Sequence, residues 1–155
     1  MANYLDISTK SVNIGQGRLP KLRGQIAPTK VVSADTTLYD YESGTTVLLG
    51  ANGLDVTLPA AAAGLNFTVI LTADYDTAVC TIVQAAATED FYGALYGTSQ
   101  GENAGTDSDV GAASNTKITF AAASLKGDRV RLVSDGTGWY VEAFAQNTAA
   151  ITFDN

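Results

Sequence analysis

The 155-residue chain divides its charge unevenly: residues 1–30 hold five basic side chains and one acid, net +4, whereas residues 31–155 hold four basic side chains and fifteen acids, net −11. With no histidine, the chain lacks the usual general base, the common proton shuttle and the commonest metal ligand. Its single cysteine, Cys80, excludes an intrachain disulfide, and no stretch approaches the roughly 18 apolar residues of a membrane-spanning helix.

This length suits one domain with an appendage. Residues 1–30 carry Lys10, Arg18, Lys21, Arg23 and Lys30, lack any sustained period and are punctuated by Gly15, Gly17, Pro20, Gly24 and Pro28. They predict an extended basic arm, with residues 31–155 forming the body. Apolar side chains recur singly along the arm, too often for an ordinary solvated tail. Such spacing predicts ordering against a partner: Tyr4, Leu5 and Ile7 near the start, then Arg18, Lys21 and Arg23 meeting acidic surface while Leu19, Leu22 and Ile26 fill pockets beside it. No charged start followed by an apolar run resembles a secretory signal, which predicts a protein made in the cytoplasm and kept soluble.

From Val31 onward the pattern changes to short runs of period two, rich in Thr, Val and Ile and broken by Gly, Asn, Asp or Ser. Leu54, Val56 and Leu58 share one face of a strand that Pro59 ends. Ala60 to Ala63 then predicts either one helical turn or a small-residue crossing between two sheets. Phe67, Val69 and Leu71 face one way in a further strand, and Cys80 lies in an apolar run that predicts a buried, unreactive thiol. Phe91, Tyr92, Leu95 and Tyr96 belong to another strand, followed by a polar, Gly-rich stretch from Gln100 to Asn115 that predicts a long exposed loop.

Ile118 and Phe120 mark the next strand, after which Asp128 to Phe144 predicts a β-hairpin turning at Ser134-Asp135-Gly136-Thr137-Gly138. Val130 and Leu132 point inward and Arg129 and Arg131 outward; Trp139, Val141 and Ala143 share one face of the second strand and Tyr140, Glu142 and Phe144 the other. Trp139 is expected to plug the core. About eight to ten short strands with almost no helix predict an all-β, jelly-roll-like sandwich, with an immunoglobulin-like sandwich as the alternative.

Chemistry-bearing constellations are sparse. Asp74 with Asp76, Glu89 with Asp90, and Asp107 with Asp109 are carboxylate pairs of the kind a glycosidase or a calcium site requires, but solvated carboxylates suit an acidic protein equally. No phosphate loop and no zinc-ligand cluster occur, and the acidic body opposes nucleic-acid binding. The expectation is a non-enzymatic protein without cofactors that binds neither nucleic acid nor membrane.

Two stretches carry a family resemblance: Leu54 to Val69, with its Leu-Pro strand end and Gly-centred crossing, and Lys126 to Val141, with Gly-Asp, an apolar strand, Asp-Gly and Trp-Tyr. Together they resemble small β-sandwich virion proteins of tailed bacteriophages, among them head decoration, or cement, proteins. That resemblance implies a homotrimer on the capsid surface, clamping neighbouring major capsid subunits of an icosahedral head. A second reading is a receptor- or glycan-binding module of a tail fibre or tailspike, contacting its ligand through Tyr92, Tyr96 and the Gln100 to Asn115 stretch; a polysaccharide depolymerase using Glu89 and Asp90 is a third.

Overall fold

A computed structural model describes residues 28–74, 79–98, 105–110, 115–147 and 149–154; for Thr98 and residues 105–110 it describes the backbone. Among the described residues twelve strands form two packed sheets, an all-β sandwich. The larger sheet has the order β1-β3-β5-β10-β11-β7-β8 and the smaller β12-β9-β6-β4-β2. In chain order the strands are β1 (Thr29–Val32), β2 (Thr36–Thr37), β3 (Thr46–Leu49), β4 (Asp55–Thr57), β5 (Asn66–Leu71), β6 (Cys80–Val83), β7 (Phe91–Thr98), β8 (Gly105–Val110), β9 (Lys117–Phe120), β10 (Arg129–Ser134), β11 (Trp139–Ala145) and β12 (Ile151–Asp154). Among the described residues one 3-10 turn, Asp40–Glu42, lies between β2 and β3.

Period-two alternation dictates which face each strand buries. β10 alternates exposed and buried residues along its whole length, and β11 does the same in opposite phase. Phe67, Val69 and Leu71 of β5 are all buried, as are Val130, Leu132, Trp139, Val141 and Ala143, so the inward faces expected from the alternation are the observed ones. Facing them across the sandwich are Val56, Ile82, Ile118 and Phe120 of the smaller sheet. Each such Val, Leu or Phe contributes about 1.5–3 kcal/mol by leaving water.

The first six strands alternate between the sheets, so each return lays a strand beside its predecessor in parallel. β1 pairs β3 and β3 pairs β5 in one sheet, while β2 pairs β4 and β4 pairs β6 in the other, all parallel. This flattened coil stacks like on like: Val32 lies beside Leu49, and Leu49 beside Leu71. The hairpin of β10 and β11 then adds to β5 in antiparallel fashion, and β7 joins β11 in parallel.

Short connections use the residues that the motifs supply. Pro59 to Ala63 holds no helix; it is the small-residue crossing from β4 to β5, ending at Gly64, whose φ of +89° closes the turn and whose N–H donates to Ser134 O at 2.9 Å. Asp128 is 1% exposed, and its carboxylate accepts the N–H groups of Leu125 and Gln146, each at 2.9 Å, which ties the approach to β10 to the end of β11. Cys80 is buried, with its sulfur accepting the Leu54 N–H at 3.4 Å.

Three expectations need correction. Gln100 to Asn115 is not loop throughout: Gly105–Val110 forms β8 on the outer edge of β7, because an open ladder of backbone donors and acceptors overrides weak strand propensity. Thr29 and Lys30, expected in the arm, lie in β1, and Lys30 pairs with Glu42 at 2.7 Å. Twelve strands exceed the expected eight to ten because two-residue β2, β8 and the terminal pieces carry too few apolar residues to announce themselves.

Gly93 leaves no room for a side chain against β11. A Cβ there would sit 1.9 Å from Val141 O, its partner across the parallel ladder, with φ at +154°. Gly44 has φ +87° but open space around it. Gly44→Ala should therefore lose about 1–2 kcal/mol from backbone strain alone, whereas Gly93→Ala should lose about 2–5 kcal/mol as steric overlap adds to it. Urea-unfolding midpoints of the two variants check this; equal losses would contradict the close approach of β7 to β11.

Candidate functional site

The outward side chains of the larger sheet fall into rows, because paired residues on neighbouring strands face the same side. One row runs Val133, Tyr140, Tyr92; the next Arg131, Glu142, Ala94; the third Arg129, Phe144, Tyr96. All three cross β10, β11 and β7. The middle row ends in a methyl group, so the flanking aromatics stand above it as two walls of a shallow trough of about 350 Å³.

Along each strand the two walls sit four residues apart, about 13 Å between Cα atoms. Tyr92 and Tyr140 make the first wall, with ring centroids 6.1 Å apart. Tyr96 stacks on Phe144 at 5.3 Å to make the second, and the Arg129 guanidinium lies 4.6 Å from the Phe144 ring centre, an attraction between cation and ring face. On the floor Arg131 donates to Glu142 at 3.3 Å, and both side chains remain more than half exposed. An ion pair so open to water adds little stability, about 0–1 kcal/mol.

Carboxylates hold the first wall in place. The Tyr140 hydroxyl donates to Asp135 at 3.2 Å and the Tyr92 hydroxyl to Asp90 at 3.3 Å. Both phenols are pushed above their ordinary pKa, Tyr140 chiefly by its bond to the Asp135 carboxylate and Tyr92 chiefly by loss of water around it. Asp135 is itself fixed by the hairpin turn, accepting the Thr137 N–H at 2.8 Å, the Thr137 hydroxyl at 2.8 Å and the Gly138 N–H at 3.1 Å. These bonds, led by the Thr137 N–H, lower its pKa from 3.8 to about 2. Gly138 has to be small here, since a Cβ would meet Asp90 O at 2.9 Å and the Tyr92 ring at 3.1 Å.

Of the residues singled out from sequence, Tyr92 and Tyr96 are brought into this trough, on opposite walls. The partner-binding residues expected in the arm, from Tyr4 to Ile26, lie outside the described residues. Tyr140, Phe144, Arg131 and Glu142 were legible as outward-facing, but not as neighbours of Tyr92 and Tyr96, because nothing local announces that β11 pairs with β7. The carboxylate pairs have separate tasks: Glu89 is buried and accepts the Ala61 N–H at 2.9 Å, Asp90 holds Tyr92, and Asp74 accepts the Lys126 N–H at 2.7 Å. Asp76 is outside the described residues, and Asp107 and Asp109 lie on β8. Among the described residues no group of three His, Cys, Asp or Glu side chains could hold a metal ion.

No family model matches the chain, and no curated protein matches it either.

Because the folded Asp135 pKa lies below its ordinary value, its contribution to the hairpin is complete above about pH 4 and is lost as pH falls toward 2. In amide NMR titrations the Thr137 and Gly138 signals should inflect near pH 2 in the parent protein and show no such step in Asp135→Asn. An inflection near pH 4 in the parent would mean that the carboxylate is not held by the turn.

Proposed function

We propose that this protein is a structural virion component, a decoration or cement protein that binds the outside of an icosahedral phage head as a homotrimer and clamps neighbouring major capsid subunits. The observation that carries the reading is the junction of arm and body. The basic, apolar-studded segment enters the acidic sandwich at β1, an edge strand of the larger sheet among the described residues, where Thr46 N–H donates to Pro28 O at 2.8 Å and Lys30 is paired with Glu42. A segment rooted at a sheet edge has its first attachment point fixed, which lowers the entropy cost of laying the rest along a neighbour.

The motifs behind the resemblance support the same division of labour. Pro59 to Gly64 crosses between sheets, Asp128 ties two strand ends together, Asp135 builds the hairpin turn and Trp139 is fully buried. All four specify the sandwich module, so capsid attachment in this reading falls to Arg18, Leu19, Lys21, Leu22, Arg23 and Ile26, which the module does not include. Binding only to the assembled shell would stabilise it by mass action, and three linked copies would turn weak single contacts into durable attachment.

Removing residues 1–27, and so sparing β1, should leave the melting transition of the body nearly unchanged while abolishing its attachment to heads that lack the protein. Co-sedimentation of full-length and shortened protein with such heads measures this. Equal occupancy by the two forms would overturn the arm's role.

A further inference from the structure

The trough on the larger sheet has a composition that selects its occupant. A protein–protein contact is apolar at its centre and polar at its rim. Here the order is reversed: the centre is the Arg131–Glu142 pair, and aromatic rings stand on either side. That pair is neutral as a unit, so it favours neither an anion nor a cation, yet it presents a strong donor beside a strong acceptor, 3.3 Å apart. Two neighbouring hydroxyl groups match it, one donating to the carboxylate while the other accepts from the guanidinium. Rings at the walls match the rest of such a molecule, because the C–H face of a sugar ring is apolar and weakly positive where an aromatic face is negative.

We infer that the trough formed by Tyr92, Tyr96, Arg131, Tyr140 and Glu142 binds a neutral saccharide, with a vicinal diol on Arg131 and Glu142 and a sugar face against each aromatic wall. Ala94 is the residue that admits the ring, since any larger side chain there would fill the floor between the walls. The walls are preorganised: Tyr140 and Tyr92 are tethered through their hydroxyls to Asp135 and Asp90, and Tyr96 is stacked on Phe144. A ligand therefore does not have to immobilise them, which conserves affinity. A volume of about 350 Å³ corresponds to one or two sugar units in contact, at the small end of ligand sites.

The site is separate from the root of the arm. β1 occupies one edge of the larger sheet and β10, the nearest strand of the trough, lies three strands away, about 14 Å at the usual strand spacing. Saccharide binding and attachment through the arm are thus compatible, and the first does not depend on the second.

The test uses the full-length protein against a panel of neutral tetrasaccharides (β-1,4-glucan, α-1,4-glucan, β-1,3-glucan and β-1,4-galactan), read by saturation-transfer NMR and calorimetry. At least one should bind; Tyr96→Ala should weaken it about tenfold and Glu142→Gln about fivefold or more, while Ala94→Phe should abolish it. All three positions are on the outer face, so unchanged melting temperatures keep the comparison valid; a variant that melts early is replaced by Arg131→Gln, which should also weaken binding. Absence of binding across the panel at millimolar sugar would overturn the inference, as would binding that survives both Tyr96→Ala and Glu142→Gln. It would equally be overturned if Tyr96→Ala converted an oligomer to monomers in sedimentation, since the face would then be covered by a second copy.

Discussion

Register is the constraint on which the rest of this structure depends. β3, β5, β10 and β11 alternate between core and solvent, so a slip of one residue in their ladders would carry the apolar set outward and the polar set inward. Because the ladders from β1 through β7 keep inward residues beside inward residues, the outward residues are also aligned. The same alignment that stacks Val32, Leu49 and Leu71 in the core places Tyr92 beside Tyr140 and Ala94 beside Glu142 outside. Core and trough are two faces of one pairing pattern.

Two devices hold that register where the chain could drift. Gly93 lets β7 press against β11 closely enough that a side chain would collide with Val141 O. Asp135 closes the β10–β11 turn with three bonds from Thr137 and Gly138, and its second oxygen then receives the Tyr140 hydroxyl. The turn that sets hairpin register thereby also orients one wall of the trough. At the far side of the sheet Asp128 does comparable work from within the core, joining Leu125 and Gln146 through one buried carboxylate.

The charge split adds a separate layer. Of the basic residues near the start of the chain, Lys30 is spent within the body, on Glu42. That ion pair holds the Glu42 carboxyl below its usual range and sits where the chain enters β1. Arg18, Lys21 and Arg23 are the ones that the decoration reading assigns to a neighbour. On that reading the basic segment meets acidic surface on a neighbouring copy or on a shell, where opposite charges attract.

What the residues alone determined was local. Alternation in Phe67-Thr68-Val69, Val130-Arg131-Leu132 and Trp139-Tyr140-Val141 was enough to assign faces; Asp135-Gly136 was enough to place a hairpin; and Pro59 followed by small residues marked the end of a strand while leaving a helical turn and a crossing both open. Each of these is read from neighbours within a few positions, where side-chain period and turn chemistry act directly. Tertiary structure alone decided which strands meet: that six successive strands alternate sheets and pair in parallel, that Gly105–Val110 completes an edge, and that β7 lies against β11. Those pairings join residues tens of positions apart, and their energies come from backbone hydrogen bonds and shared burial that carry no local residue code. The trough belongs to the second class, because Tyr92 and Tyr140 become one surface only when a ladder brings them together.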